Sequence, residues 1–152
     1  MYLKEFLQKF EESKLKLFVD MDGVIADYNV GEACNYHMKR PLKDSILKLK
    51  EVSEMKNVEL YILSISRMNE GVEQKNIWLD MHAPFFKENN RIIIPREANN
   101  FEKSPILKAE YLKNIQRDNA KIIMIDDDPA VIKEIRNRNN DVILLKDTVL
   151  VD

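Results

Sequence analysis

The sequence has little of several features that mark special classes of protein. Its 152 residues include one cysteine, Cys34, which excludes an intramolecular disulfide and favours a reducing compartment. No segment approaches the roughly 18 apolar residues that are needed to span a bilayer. The N-terminus lacks the apolar core of a secretory signal. We therefore expect a cytoplasmic protein that does not contact a membrane.

Glycine and proline are also scarce, with 3 and 5 residues respectively, and this scarcity predicts mostly regular structure. The formal net charge of −2 gives no global basic excess of the kind that binds long nucleic acid, although a local basic patch is compatible with it. The hydrophobic content of 45% is ordinary for a globular protein. The length fits one domain, residues 1–152, with a sizeable core.

Short apolar runs rich in Val, Ile and Leu alternate with helical patterns along the chain. The runs predict five strands, at 15–20, 58–64, 91–95, 121–126 and 141–146, and the patterns predict helices at about 42–55, 70–82, 105–117 and 130–138. Because most runs lack strict alternation, we expect strands that are covered on both faces. The order predicts an α/β fold, a Rossmann-like three-layer sandwich around a doubly wound, mostly parallel five-stranded sheet. Residues 1–13 hold an amphipathic helix that is expected to pack on this domain.

Acidic residues follow two of the predicted strands where each strand ends. Asp20 and Asp22 follow the first strand, and Asp126 and Asp127 close the fourth. Ligands bind beyond the carboxyl ends of the strands in such sheets, so these acids should meet at one edge. Carboxylates this close repel each other unless a cation lies among them. Oxygen ligands favour a hard, octahedral ion, and Mg²⁺ fits best.

A magnesium site of this kind usually serves a phosphate group, because the ion offsets repulsion between the phosphate and a carboxylate. Asp20 could then attack phosphorus and form an aspartyl-phosphate. Asp22 would protonate the leaving oxygen and afterwards activate water. The Ser64 hydroxyl and a lysine from a neighbouring loop or helix would stabilise the phosphate oxygens.

Four motifs in order resemble those of the haloacid-dehalogenase-like phosphatase superfamily. They are the Asp20-Met21-Asp22-Gly23-Val24 turn, Ser64, a downstream lysine, and Ile125-Asp126-Asp127. The resemblance implies a Rossmann-like fold, Mg²⁺ dependence and an aspartyl-phosphate intermediate, with Asp20 as nucleophile and Asp22 as acid and base. It also implies metal ligation by Asp20, by the backbone carbonyl of Asp22, and by Asp126 or Asp127.

Three lysines are candidates for the lysine of the third motif. Lys108 is the first choice, because it resembles the lysine in the phosphatase domain of phage polynucleotide kinase. An Arg-Glu pair precedes that lysine at similar spacing, and here the pair is Arg96-Glu97. Lys103 is the second choice, by likeness to some deoxyribonucleotidases, and Lys75 is the third because it is expected on a surface helix.

The second motif contains two serines, Ser64 and Ser66. The strand period favours Ser64, while Ser66 and Arg67 could still belong to the pocket. An arginine also follows the motif serine in the polynucleotide phosphatase domain, and a guanidinium can bind a phosphate bidentately. Arg67, Arg96 and Lys103 are therefore the expected substrate-binding cations.

The span between the first two motifs is too short for a large cap domain. Residues 28–57 allow at most a small helical lid, with a turn at 29–31 and a short helix at 32–38. An open site suits a phosphate on a macromolecule, or a homo-oligomer in which a second copy covers the mouth. The Asp-Gly-Val-Ile-Ala-Asp segment also resembles 5′(3′)-deoxyribonucleotidases. The expected partner is a phosphorylated small molecule or a nucleic-acid end, with nucleotide-type phosphomonoesters first.

Two other classes of protein are alternatives to an enzyme. Response-regulator receivers share acids, serine, lysine and a parallel sheet, but their phosphorylated aspartate follows on a later strand, and the motif order here differs. A related fold that binds a ligand without turnover is the second alternative. The intact Asp20 and Asp22 favour a phosphatase over that binding protein.

Overall fold

A computed structural model describes residues 2–28 and 36–151 of the chain. The turn expected at 29–31, the first part of the helix expected at 32–38, and Cys34 lie outside the described residues. The last part of that helix, Tyr36–Met38, forms a short 3-10 turn.

Five helices and five strands make up most of the described chain. The strands are β1 (Leu15–Val19), β2 (Val58–Ser66), β3 (Arg91–Pro95), β4 (Lys121–Asp126) and β5 (Ile143–Lys146). The helices are α1 (Leu3–Gln8), α2 (Lys43–Ser53), α3 (Glu70–His82), α4 (Ser104–Asn114) and α5 (Pro129–Arg138). The predicted α/β sandwich with a five-stranded sheet is therefore confirmed.

The strands form one sheet in the order β3-β2-β1-β4-β5, and all four pairings are parallel. In the central strand β1, Val19 lies opposite Ile62 of β2 and Ile125 of β4. This register brings the residue after β1 level with the last residue of β4. The first and fourth predicted strands therefore do end at the same edge of the sheet.

The sheet separates two apolar clusters, which explains why the strand sequences are apolar without alternation. One cluster contains Leu17 and Val19 of β1 and the buried faces of α1, α2 and α3. The other contains Phe18 of β1 and the buried faces of α4 and α5. Successive residues of β1 point to opposite faces, so both faces of this central strand are buried.

Several element ends differ from the sequence prediction by one to three residues, and those of β2 and α4 have a clear physical reason. β2 continues to Ser66 because Ile65 and Ser66 pair with Ile94 and Pro95 of β3, so Ser64 lies inside the strand and not at its end. α4 ends at Asn114, before the predicted residue 117, because the chain is extended at Ile115. The Arg117 guanidinium turns back and donates to the Leu112 and Ile115 carbonyls, which satisfies carbonyl groups at the end of the helix.

The N-terminal helix packs on the domain as expected, with Leu3 and Leu7 fully buried. α2 does not form a lid, because its residues Ile46, Leu49 and Val52 are buried in the core cluster that also contains residues of β1 and β2. Among the described helices, none has the length and apolar character needed to cross a membrane.

Candidate active site

Two buried carboxylates meet at the carboxyl edge of the sheet. Asp20 is the first residue after β1, and its backbone N–H donates to the Ile125 carbonyl at 3.0 Å. Asp126 is the last residue of β4 and is fully buried. The parallel register of β1 and β4 therefore places these two acids side by side, as the sequence predicted.

Lys108 from α4 lies between these carboxylates. Its ammonium donates to Asp20 Oδ1 at 2.9 Å and to Asp126 Oδ2 at 2.7 Å, and the lysine is only 4% exposed. Burial alone would lower the pKa of Lys108, but the two carboxylates outweigh it and raise that pKa. Lys108 is therefore buried, protonated, and in contact with Asp20, the carboxylate that is expected to attack phosphorus.

The three acids Asp20, Asp126 and Asp127 have the chemistry of a divalent metal site. One carboxylate oxygen from each lies within 4.8 Å of the others. Three carboxylates against one Lys108 leave an excess of negative charge. Hard oxygen donors with excess negative charge suit Mg²⁺, so the residues that are present fit the predicted ion.

Proton competition should control metal binding at this site. Burial, together with the charge of Asp126, raises the pKa of Asp20 to about 7 despite the opposing charge of Lys108. Burial and the neighbouring Asp126 raise the pKa of Asp127 to about 6. A raised carboxyl pKa means that the folded protein holds protons that the unfolded chain releases. The metal-free protein should therefore lose stability as pH rises from about 4 to 7.

The same protons must leave before a cation binds. We expect Mg²⁺ affinity to rise with pH between about 5.5 and 7, by up to about tenfold per pH unit for each proton displaced. Calorimetric titrations across this range would measure the effect. An affinity that stays constant with pH would contradict this electrostatic description of the site.

Gly23 makes room for the third acid. Its φ of +82° lies in the left-handed region, and a Cβ at this position would stand 2.0 Å from Asp127 Oδ2. Its N–H donates to the Ala26 carbonyl at 2.8 Å, which closes the turn after Asp22. Glycine is therefore required here both by the backbone and by the space that Asp127 occupies.

Replacing Gly23 by alanine should displace Asp127 and strain the turn. We expect the free energy of unfolding to fall by about 1–3 kcal/mol and Mg²⁺ affinity to fall as well. The control is Gly71→Ala, where a Cβ would meet the Ser66 hydroxyl away from the metal ligands. It should cost stability and leave Mg²⁺ affinity unchanged. Equal losses of affinity in both variants would show that Gly23 has no specific role.

Asp22 belongs to a second, more basic part of the site. Lys39 donates to its Oδ1 at 2.7 Å, and Lys75 donates to its Oδ2 at 3.2 Å. Burial would raise the pKa of Asp22, but the charges of Lys75 and Lys39 outweigh it and hold that pKa below its ordinary value. Lys75 also donates to Ser64 Oγ and to the Ile65 carbonyl, both at 2.7 Å.

Tyr36 lies between the two lysines of this basic part. Its ring centroid is 4.7 Å from the Lys39 ammonium and 5.1 Å from the Lys75 ammonium. Burial, with the nearby charge of Asp22, raises the pKa of the Tyr36 phenol. The phenol oxygen is buried near the Asp22 carboxylate without a hydrogen bond of good geometry. Tyr36 therefore contributes a neutral aromatic face that packs against both ammonium groups.

A cavity of about 450 Å³ opens at this edge of the sheet. Asp20, Asp22, Asp126, Asp127 and Lys108 all line it, so the acids and the first-choice lysine share one space. Tyr28, Ile65 and Ser104 are also in its wall. The volume is adequate for a phosphate group and part of its attached alcohol.

Several expected site residues do not line this cavity. Arg67 and Lys103 are exposed, and the Arg96 guanidinium donates to the carbonyls of Phe101 and Glu102 in its own loop. Their substrate-binding role therefore stays a prediction. The structure also separates the two serines. Ser66 Oγ donates to the Met68 carbonyl in the following loop, whereas Ser64 contacts Lys75.

The sequence prediction for Lys75 was wrong in its location, because the residue is 4% exposed and α3 directs it into the site. A signal was present in the spacing. Lys75 precedes the buried Trp78 by three residues and Leu79 by four, which places all three on one helix face. Lys39 was missed entirely, and no motif or period marked it.

Comparisons with solved structures support the fold. One match is a chain of a Pnkp1/Rnl/Hen1 complex, with 18% identity and a TM-score of 0.68, covering 88% of this chain and 46% of that one. Another is a class C acid phosphatase from Bacillus anthracis with tungstate bound, with 17% identity and a TM-score of 0.59, covering 97% and 72%.

A third match is the N-terminal part of a Bacteroides fragilis protein that contains a phosphatase domain complexed with Mg. It has 16% identity and a TM-score of 0.55, and the match covers 92% of this chain and 38% of that one. This chain therefore spans less than half of the first and third matched structures. No family model matches the chain, and neither does any curated protein.

Two of these neighbours are described as phosphatases, and all three match at 16–18% identity, so they establish architecture and not activity. The parallel sheet with helices on both faces agrees with them. The chain shares the fold of these structures, and the Rossmann-like fold that its four motifs imply is confirmed.

Proposed function

We propose that this protein is a Mg²⁺-dependent phosphomonoester hydrolase that works through an aspartyl-phosphate on Asp20. The observation that carries the proposal is the meeting of three acids and one buried lysine in a single cavity. Asp20, Asp126 and Asp127 supply oxygen ligands, and Lys108 donates directly to Asp20. This combination of a cation site and a positioned carboxylate is suited to phosphoryl transfer.

In the first step, a carboxylate oxygen of Asp20 attacks phosphorus and the bond between phosphorus and the ester oxygen breaks. Lys39 and Lys75 hold Asp22 as a carboxylate in the free protein, so Asp22 takes up a proton from solvent as the phosphate anion binds and gives that proton to the departing alcohol oxygen. Lys108 has two of its three N–H groups on Asp20 and Asp126, which leaves one for a phosphate oxygen.

In the second step, Asp22 takes a proton from water, and the water oxygen attacks phosphorus. The bond between phosphorus and Asp20 breaks, so inorganic phosphate leaves and the Asp20 carboxylate is restored. Asp22 regains the proton that it gave away. The two steps balance without any oxidant, reductant or second substrate.

Mg²⁺ held by Asp20, by Asp126 or Asp127, and by the Asp22 carbonyl would offset the repulsion between the attacking carboxylate and the phosphate anion. The excess of acidic charge in this part of the cavity supports that assignment. The Mg-complexed phosphatase domain among the structural neighbours supports it as well.

For the substrate we propose a nucleotide or a phosphate at a nucleic-acid end. One structural neighbour belongs to a complex that is described as an RNA repair complex. The helix α2 packs in the core and does not cover the cavity, which suits a large substrate. Exposed Arg67 and Lys103, on the loops after β2 and β3, are the proposed contacts for flanking phosphates.

A substrate panel tests this function. The protein is incubated with Mg²⁺ and p-nitrophenyl phosphate, nucleoside monophosphates, phosphorylated metabolites, and oligonucleotides carrying a 5′- or 3′-phosphate. We expect Mg²⁺-dependent phosphate release, fastest on a nucleotide or oligonucleotide. No release on any substrate would favour the alternative of a binding protein without turnover.

A further inference from the structure

The Asp22 carboxylate is held by two lysines, one on each oxygen. Lys39 contacts Oδ1 and Lys75 contacts Oδ2, and the two lysines come from different segments of the chain. They are 7% and 4% exposed, so both ammonium groups are withdrawn from bulk water. Burying two cations on one carboxylate costs free energy unless ion pairing and further hydrogen bonds offset the loss of hydration.

The lysines of the site differ in how many of their N–H groups remain for a substrate phosphate. Lys75 uses its three N–H groups on Asp22, Ser64 and the Ile65 carbonyl, so it has none for a substrate phosphate. Lys39 donates one hydrogen bond among the described residues, and that bond goes to Asp22. Neither lysine contacts Asp20 or Asp126, which belong to Lys108. Both lysines pack against the Tyr36 ring, and the hydrogen-bond acceptor that they share is Asp22.

One helix fixes both lysines. Lys75 lies on α3 itself, and Trp78, one turn further along, donates from its indole N–H to the Lys39 carbonyl at 2.9 Å. The Trp78 ring also packs edge-on against Tyr36, with ring centroids 6.1 Å apart. Trp78 is fully buried, so this hydrogen bond ties the Lys39 backbone to the same helix that carries Lys75.

We infer that Lys39 and Lys75 are positioning residues that orient the Asp22 carboxylate for the hydrolysis of the aspartyl-phosphate. This inference rests on the proposed function. A carboxylate that accepts one hydrogen bond from an ammonium on each oxygen is restricted in rotation. That geometry suits the second step, in which Asp22 takes a proton from the attacking water while the bond between phosphorus and Asp20 breaks.

Stopped-flow kinetics of Lys39→Met with p-nitrophenyl phosphate tests the inference. Nitrophenolate leaves with little need for a proton, so the first step should continue in the variant while hydrolysis of the intermediate slows. We expect kcat to fall by about 10- to 100-fold and KM to fall with it, leaving kcat/KM within about threefold. A burst approaching one nitrophenolate per active site should appear.

Three further variants sharpen the result. Lys43→Met, at an exposed lysine nearby on α2, should show wild-type kinetics. Lys39→Gln keeps a hydrogen-bond donor without the charge, and it serves if the methionine variant does not fold. In an Asp22→Asn background, Lys39→Met should change kcat by less than about twofold, because the group that Lys39 positions is already lost.

The outcomes separate the inference from the proposed function. A wild-type protein without turnover on any phosphomonoester overturns the proposed function, and the positioning role with it. An active wild type in which Lys39→Met lowers kcat/KM as much as kcat, without a burst, overturns the inference alone. Additive losses from Lys39→Met and Asp22→Asn would overturn it as well.

Discussion

Asp20→Asn should abolish turnover, with kcat falling by about 1,000-fold or more, because an amide oxygen cannot replace the attacking carboxylate. The neutral amide should be tolerated by the fold. Burial and Asp126 already raise the pKa of Asp20, which shows that its charged form is disfavoured at this position. We therefore expect the metal-free variant to be at least as stable as the wild type near neutral pH.

Activity on p-nitrophenyl phosphate and thermal unfolding of the same preparations measure both effects. Asp44→Asn is a matched control, because Asp44 is an exposed acid in the first turn of α2, away from the cavity. That control should keep full activity. If Asp20→Asn retains turnover close to that of the wild type, Asp20 is not the nucleophile.

Lys108→Met should affect stability and activity together. Methionine has a similar length but no charge, so the Asp20 and Asp126 carboxylates would face each other without the cation that separates them. We expect the free energy of unfolding of the metal-free protein to fall by about 3 kcal/mol at neutral pH. Activity should fall by about 100-fold or more, because the donor for the phosphate oxygen is also lost.

Magnesium should restore part of the stability that Lys108→Met removes. A divalent cation bound by the same acids replaces some of the lost positive charge, so saturating Mg²⁺ should stabilise the variant more than the wild type. Urea unfolding with and without Mg²⁺ measures the difference. Lys113→Met, at an exposed position on the same helix, is the control and should change neither quantity. An equal Mg²⁺ effect on Lys108→Met and the wild type would show that Lys108 and the metal do not share these acids.

The sequence was sufficient to predict the sheet and the position of its acids. Apolar runs without alternation mark strands that are buried on both faces, and β1 and β4 are such strands. Once the strands are parallel, residues that follow them must share one edge, so Asp20 and Asp126 had to meet. α5 begins at Pro129, one residue before the predicted start, and Asp128 caps it by accepting from the Ala130 N–H at 2.9 Å.

The sequence did not show which lysines lie in the site. The buried face of a helix depends on its packing against the rest of the domain, and a local pattern indicates that packing only weakly. α3 has buried lysine and tryptophan on one face, and an exposed isoleucine, Ile77, on another, so its apolar periodicity is weak. Lys39 follows a 3-10 turn with no recurring pattern, and only the fold brings it to Asp22. Likewise, the extension of β2 past Ser64 depends on pairing with β3.

The hydrogen bonds also show how the charge of Arg96 is used in this structure. Arg96 follows β3 at the edge of the sheet, and its guanidinium holds the loop that leads into α4. Arg96 was predicted to bind phosphate from its place in the sequence. The conformation of this loop instead directs its guanidinium to backbone carbonyls. Sequence spacing alone does not contain that information.

The measurement that tests the central claim most directly is a crystal structure of the protein with Mg²⁺ and beryllium trifluoride, which mimics a phosphoryl group on a carboxylate. We predict the beryllium bonded to a carboxylate oxygen of Asp20, Lys108 on a fluorine atom, and Mg²⁺ held by Asp20 and by Asp126 or Asp127. Beryllium trifluoride bound to another side chain, or acids that stand apart with no ion among them, would contradict the account.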